Sequence, residues 1–249
     1  MTGGATGIGN AIKQQLIGQG HSVLVVDIKN ADIIADLSTS AGRQAAIDGI
    51  RAHSADGLDG FIPCAGVGPM VSPPSLVSSI NYFGAVVVTE GVRDLLVKKN
   101  GAIVMVSSNS APMGYDQTYT DLLLAGDEAK SGARVDELGQ GQTAYGGSKF
   151  ALTCWMRANA SSYAADGVRI NAVAPGFTQT PLTDAAMQDK DFSESMKQFV
   201  ETIPVGKAGL PDDIANGVSF LLSEKASFVV GSVLFIDGGH DAVFRPNDF

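Results

Sequence analysis

Five apolar runs, set apart by stretches of helical length, constrain this chain more than any other feature. Ser22 to Ile28 (SVLVVDI), Gly60 to Cys64, Ala102 to Ser107 (AIVMVS), Val168 to Val173 and Ser232 to Ile236 are almost continuously apolar. Runs of that kind suit parallel strands covered on both faces, because a sheet open to water on one side alternates apolar with polar residues. Between them, Ile8 to Gly18, Gly42 to Ala52, Ser75 to Lys98, Thr143 to Ala165 and Asp212 to Leu222 are predicted helices. Strand–helix alternation implies right-handed crossovers, and so an α/β architecture with a doubly wound parallel sheet. Residues 1–249 form a single domain in this reading, since no repeat, low-complexity tract or linker interrupts the rhythm.

Two stretches depart from the alternation. Gly114 to Gln142 is a partly charged insertion between a strand and the next helix. Residues 183–207 form a second excursion, with Phe192, Met196, Phe199, Val200 and Ile203 at helical spacing. That excursion is either an amphipathic packing helix or an apolar lid over a pocket.

Residues 2–9 read Thr-Gly-Gly-Ala-Thr-Gly-Ile-Gly. Gly3, Gly7 and Gly9 allow positive φ and close backbone approach. A helix starting near Ile8, just after Thr6, aims its free N–H groups at a pyrophosphate. The sheet is then of the Rossmann type, with a dinucleotide at the loop. Such a loop follows a strand, yet almost nothing precedes it, so the first strand is expected to be missing or truncated. The next strand ends in Asp27, followed by Ile28. A carboxylate there accepts hydrogen bonds from both adenosine ribose hydroxyls and repels a 2′-phosphate, which favours NAD(H) over NADP(H). Lys29 keeps that preference short of absolute. Further on, Asp36 is placed to meet the adenine amino group and Leu37 its face.

The net charge of −9 disfavours nucleic acid or an anionic membrane as the partner. Any phosphate must therefore be held by local backbone N–H groups. Cys64 and Cys154 lie far apart in apolar contexts and read as reduced packing residues of a cytoplasmic protein. No run approaches membrane-spanning length, and no signal peptide opens the chain. His21, His53 and His240 show no metal-ligand spacing, so no metal is expected. The absence of a nucleophile elbow argues against a hydrolase.

The order of these motifs resembles the short-chain dehydrogenase/reductase family over essentially the whole chain. Thr2-Gly3, Gly7, Ile8 and Gly9 match its cofactor loop, and Tyr145-Gly-Gly-Ser-Lys149 its Tyr-three-Lys motif. Ser108 matches the serine that closes the central strand, and Asn81 the helix asparagine of the catalytic tetrad. Pro175-Gly176 with Thr178 and Thr180 match the loop that holds the nicotinamide. One element departs: the usual Asn-Asn-Ala-Gly turn is Pro63-Cys64-Ala65-Gly66 here. The Ala-Gly backbone still suits cofactor packing, but the support of that strand end is left open. Within the family, Ile34-Ala-Asp-Leu-Ser38, Asn81-Tyr-Phe-Gly84, Leu124-Ala-Gly-Asp-Glu-Ala129 and Asp241-Ala-Val-Phe-Arg245 resemble the bacterial 3α-hydroxysteroid dehydrogenase/carbonyl reductase group.

The resemblance implies an oxidoreductase acting on an alcohol and a ketone, with Tyr145 as general acid and base. Tyr145 and Lys149 share a helix face, so the ammonium is expected to lower the phenol pKa and to bond the nicotinamide ribose. Ser108, at a strand end, would orient the substrate oxygen, with Ser107 and Ser110 competing for that role. Asn81 would hold a water linking Lys149 to solvent. Val67, Pro69, Met70, Pro112, Met113, Met187, Phe192 and Met196 are candidates for an apolar pocket suited to a steroid or bulky ketone. An aryl- or alkyl-alcohol dehydrogenase on the same frame, and a catalytically silent NAD(H)-binding sensor, are the competing readings. Family members are commonly homodimers or homotetramers, and the insertion favours the dimer by covering one interface.

Overall fold

A computed structural model of the chain describes residues 1–181, 183 and 198–248. Six parallel strands appear among them. β1 (Val26–Asp27) pairs with β2 (Ile33–Ile34). β3 (Gly60–Phe61), β4 (Ala102–Val106), β5 (Arg169–Pro175) and β6 (Val233–Ile236) follow one another in a second sheet. The expected gap at the first strand lies between these two sheets. Thr2 bridges it, in parallel register with Val26 on one side and Pro63 on the other. Val26 N–H donates to Met1 O at 2.9 Å and Gly3 N–H to Val26 O at 2.8 Å, while Thr2 N–H donates to Ile62 O at 3.0 Å. Residues 1–3 therefore occupy the slot of that strand. The ladder reaches no further, so the apolar runs at 22–28 and 60–64 form only two-residue strands.

The helices that lie wholly among the described residues are α1 (Gly7–Gly18), α2 (Ser40–His53), α3 (Ser75–Val77), α4 (Gly84–Gly91), α5 (Arg93–Val97), α6 (Gln117–Leu124), α7 (Glu128–Leu138), α8 (Gly141–Ala165), α9 (Pro211–Leu222) and α10 (His240–Phe244). A π-helical segment, Ser78–Phe83, joins α3 to α4. β4 is buried at every position, and its alternation serves two cores. Ile103 and Met105 face the cluster built with Ile47, Val88, Leu152 and Met156. Val104 and Val106 face the one built with Ile12, Leu16, Ile214 and Val218. Helices thus cover both faces of the sheet, as the continuous apolar runs require.

The single helix expected over Ser75 to Lys98 is instead broken by the π segment and again at Val92. β2 and α10 were not legible in the sequence. The insertion is helical: α6 and α7 send Tyr119, Leu123 and Val135 fully into the main core. In the second excursion, Met187, Phe192 and Met196 lie outside the described residues. Ile203 is buried, and the Phe199 ring packs on His240 with centroids 4.7 Å apart. No described helix is long and apolar enough to cross a membrane.

Candidate active site

The C-terminal ends of the parallel strands converge on one edge, where sheets of this type bind ligands. The glycine loop lies against the β3 end. Gly3 has φ +71°, and a side chain there would come within 2.5 Å of the Ala65 backbone. A side chain at Gly9 would collide with the Gly3 carbonyl. Only glycine allows these approaches. Gly7, also at positive φ (+54°), faces Thr180 across the cleft. Thr6 precedes α1 without capping it through its side chain, so the first-turn N–H groups remain available to an anion.

Asp27 holds this loop, since its carboxylate accepts from Ala5 N–H at 3.0 Å and from Ile28 N–H at 2.7 Å. A carboxylate has about four acceptor sites, which leaves capacity for a ribose diol. Ile28 is 62% exposed beside it. Asp36 is also exposed, and its hydrogen bonds from Ser38 hold its pKa below the usual carboxylate range. Leu37 belongs to the main core, while its carbonyl accepts from Arg43 Nε at 2.9 Å. These features form a cradle that fits a dinucleotide.

On the other half of the cleft, Asn109 N–H donates to Pro175 O at 2.9 Å and Gly176 N–H to Ile236 O at 3.0 Å. Thr178, which is buried, donates to Gly176 O at 3.0 Å. The altered Cys64-Ala65-Gly66 turn is supported from the N-terminal slot. Cys64 N–H donates to Thr2 O and Ala65 N–H to the Thr2 hydroxyl at 3.1 Å. Burial pushes the Cys64 thiol up to about 11, as befits a packing residue.

Asn81, Ser108, Tyr145 and Lys149 come together at this edge. Ser107 is committed elsewhere, to Thr153 Oγ1 at 2.7 Å and Lys149 O at 3.3 Å. Ser108 instead stands beside the Tyr145 phenol, whose pKa it acts to lower, and its Oγ accepts from the Ser110 hydroxyl at 2.9 Å. Ser110, a competitor for the serine role by sequence, stands behind Ser108. Asn109 and Asp237, 3.4 Å apart, add a link to the β6 end that no local sequence signal announces.

The expected effect of Lys149 on Tyr145 is not what the geometry gives. Lys149 Nζ donates to the Val106 carbonyl at 2.7 Å and lies 6.0 Å from the Tyr145 ring centroid. Burial holds Lys149 down to about 8. Burial also raises the Tyr145 pKa, and Ser108 is what opposes that rise. Helical spacing puts the two residues on one face but cannot show that the ammonium has a nearer backbone acceptor.

Asn81 sits in the π segment. Its Oδ1 accepts from Val67 N–H at 2.8 Å and its Nδ2 donates to Val67 O at 3.0 Å. The side chain therefore clasps the backbone of a candidate pocket residue. A side chain at Gly66 would come within 3.2 Å of Asn81 Oδ1 and 3.8 Å of Lys149 Nζ, so the three groups adjoin. Val67, Pro69 and Pro112 are half-buried, and Met70 and Met113 are exposed.

The short chain dehydrogenase profile matches residues 1–120, and the enoyl-(acyl carrier protein) reductase profile matches residues 131–241. The chain is 42% identical to the 3-alpha-hydroxysteroid dehydrogenase/carbonyl reductase of Comamonas testosteroni, over all of this chain and 98% of the relative. It is 30% identical to the cis-4-hydroxycyclohexanecarboxylate dehydrogenase of Sinomonas cyclohexanicum, covering 98% of this chain and 96% of the relative. Among solved structures, the 3-alpha-hydroxysteroid dehydrogenase of Pseudomonas sp. B-0831 complexed with NADH superposes with a TM-score of 0.94 at 41% identity. That match covers all of this chain and 98% of the other. The chain belongs to the short-chain dehydrogenase/reductase family, and it is a dehydrogenase/reductase.

Proposed function

We propose that the chain interconverts a secondary alcohol and a ketone with NAD(H), and that its substrates are hydroxysteroids or other bulky cyclic ketones. The juxtaposition of Ser108 with the Tyr145 phenol, and of a buried Lys149 on the same helix, carries this reading. Bound NAD(H) supplies or accepts the hydride. Gly3, Thr6, Gly7, Ile8 and Gly9 would hold its pyrophosphate. Asp27, Ile28, Asp36 and Leu37 would line the adenosine end. Cys64, Ala65, Gly66, Pro175, Gly176, Thr178 and Thr180 would line the nicotinamide half.

Tyr145 Oη gives its proton to the ketone oxygen during reduction and takes it back during oxidation. Its raised pKa keeps the phenol protonated at neutral pH, the form that reduction needs. Ser108 donates to the same oxygen, and the Ser110 hydroxyl fixes the orientation of Ser108. Lys149 borders both Tyr145 and the nicotinamide ribose site. Asn81 holds the Val67 backbone, so it shapes the pocket wall. The steroid assignment draws on the names of the two similar 3-alpha-hydroxysteroid dehydrogenases, and the cyclic-alcohol relative points to the same ring-borne secondary alcohol. Both cysteines are unpaired, which supports a cytoplasmic setting.

NADH absorbance, followed with a 3-ketosteroid, a bulky cyclic ketone and an aryl aldehyde, tests the proposal. Steroid turnover lost in Tyr145→Phe is the expected result. Turnover with the other carbonyls alone would discard the steroid assignment.

We propose a homodimer as the assembly. β6 ends the sheet order, and Phe220, Phe228, Val230, Leu234 and Phe244 are exposed along that side. An open edge flanked by apolar side chains favours association with a second copy. Of the insertion helices, α6 packs against α8, and α7 packs against α6 and the π segment. Phe228→Glu should therefore yield monomers by light scattering, and an unchanged tetramer would exclude this arrangement.

A further inference from the structure

Arg43 is the one arginine in α2 that turns inward, with only 4% of its surface exposed. A guanidinium does not lose its proton, so its burial demands partners. They come from three places. Nε donates to the Leu37 carbonyl at 2.9 Å, and one terminal nitrogen donates to the Ser38 carbonyl at 3.3 Å. The guanidinium also pairs in a fork with the Glu128 carboxylate, where the Nη1 bond is 2.8 Å. Its centre lies 5.7 Å from the Phe83 ring, at the end of the π segment.

Glu128 opens α7 and belongs to the Leu124-Ala-Gly-Asp-Glu-Ala129 segment of the insertion, to which the proposed chemistry gives no task. Leu37 and Ser38 follow Asp36 in the turn that would line the adenosine end of the cleft. The carboxylate of the insertion thus fixes a guanidinium, and the guanidinium fixes two successive carbonyls of that turn. Without Glu128 the guanidinium would be drawn toward water, and the turn would lose the donor that sets its carbonyls.

We infer that Glu128 and Arg43 are positioning residues for the adenosine end of the cofactor site, so that the insertion sets cofactor affinity. The inference rests on the reading of the cleft given above. A turn that spends only part of its time in the competent shape weakens binding by that fraction, since the apparent Kd rises as the competent population falls.

The test compares wild type with Glu128→Gln and Arg43→Lys. In the first variant a neutral amide cannot supply the second charge. In the second, an ammonium cannot hold the fork and both carbonyls at once. Calorimetry gives the Kd of NADH and of ADP-ribose, a probe that lacks the nicotinamide. Both Kd values should rise by about tenfold in each variant. The kcat at saturating NADH should stay within about twofold, because no reacting group has moved. A merely structural pair would lower Tm and leave the ADP-ribose Kd untouched, and that result overturns the inference. If wild type itself fails to bind ADP-ribose, the reading of the cleft falls first and this inference with it. A rise in the NADH Kd with an unchanged ADP-ribose Kd also overturns it, since the effect would then lie at the nicotinamide end.

Discussion

The ring of Tyr119 occupies the space that a side chain at Gly147 would need: a β-carbon there would lie 2.8 Å from two ring carbons. Tyr119 is fully buried, and its hydroxyl bonds Ser78 Oγ at 2.7 Å. The insertion is therefore keyed into the helix that carries Tyr145 and Lys149, at a residue lying between them. Gly147→Ala should overpack this contact and cost about 1–3 kcal/mol of stability. Chemical denaturation measures it. A neutral result would mean that α6 can yield without loss.

Lys149 makes stability depend on pH in a direction that can be worked out. Its pKa is about 8 in the folded chain, against an ordinary value of 10.5. Below pH 8 both folded and unfolded chains hold the proton, and the folded one bears the full cost of burying it. Between about 8 and 10.5 the unfolded chain binds more protons, so stability rises with pH. Lys149→Met should therefore stabilise the protein at pH 7, on the order of a few kcal/mol, while removing activity. The gain should shrink over that same alkaline window. A gain independent of pH, or none, would contradict the assignment.

Ser108 and Ser110 should separate kinetically. Ser108→Ala removes a donor to the reacting oxygen and should lower kcat by about 10²–10³. Ser110→Ala acts only through Ser108, so a loss of about tenfold is expected, the equivalent of one ordinary hydrogen bond. Ser107→Ala should lower Tm more than kcat, since its hydroxyl serves Thr153 and the Lys149 carbonyl. Equal kinetic losses at 107 and 108 would refute the division of roles.

Asp27 should govern which cofactor is accepted. Asp27→Ala removes the ribose acceptor and the negative charge that repels a 2′-phosphate, and it frees Ala5 N–H. The NADH Kd should rise by about tenfold or more while NADPH binding improves or holds. Fluorescence titration with both cofactors gives the ratio. An unchanged ratio would place the selectivity elsewhere.

Features that depend on one segment were readable from the chain. β4 is a wholly apolar run, β5 is buried at every position after Arg169, and α8 carries Tyr145 and Lys149 at the spacing of one turn. Features that depend on pairing were not. β2 is two residues long, defined only by its register with Val26 and Asp27. The insertion looks solvated because its charges dominate, yet Arg134 pairs with Asp116 at 2.8 Å and leaves Tyr119, Leu123 and Val135 to face inward. Arg43 reads as an ordinary surface charge, since nothing near it in sequence announces a carboxylate 85 residues on. The same limit explains the misjudged influence of Lys149 on Tyr145. Spacing along a helix fixes which side chains share a face, and the Val106 carbonyl on a strand decides where the ammonium goes.

The π-helical turn at Ser78–Phe83 sets how this stretch can change in length. Such a turn holds one more residue than regular winding allows. Deleting a single residue there would restore a continuous ladder, a local gain, while rotating everything before it by about 100° relative to α4. A deletion just after Ser78 would leave Tyr82 and Phe83 in their places in the core and turn Val77 and Ser78, both fully buried, out of theirs. A shortened variant would thus exchange a regular ladder for the loss of Val77 from the core and of the Ser78–Tyr119 hydrogen bond. The extra residue is what lets the stretches on either side of the turn both present their apolar faces to one core.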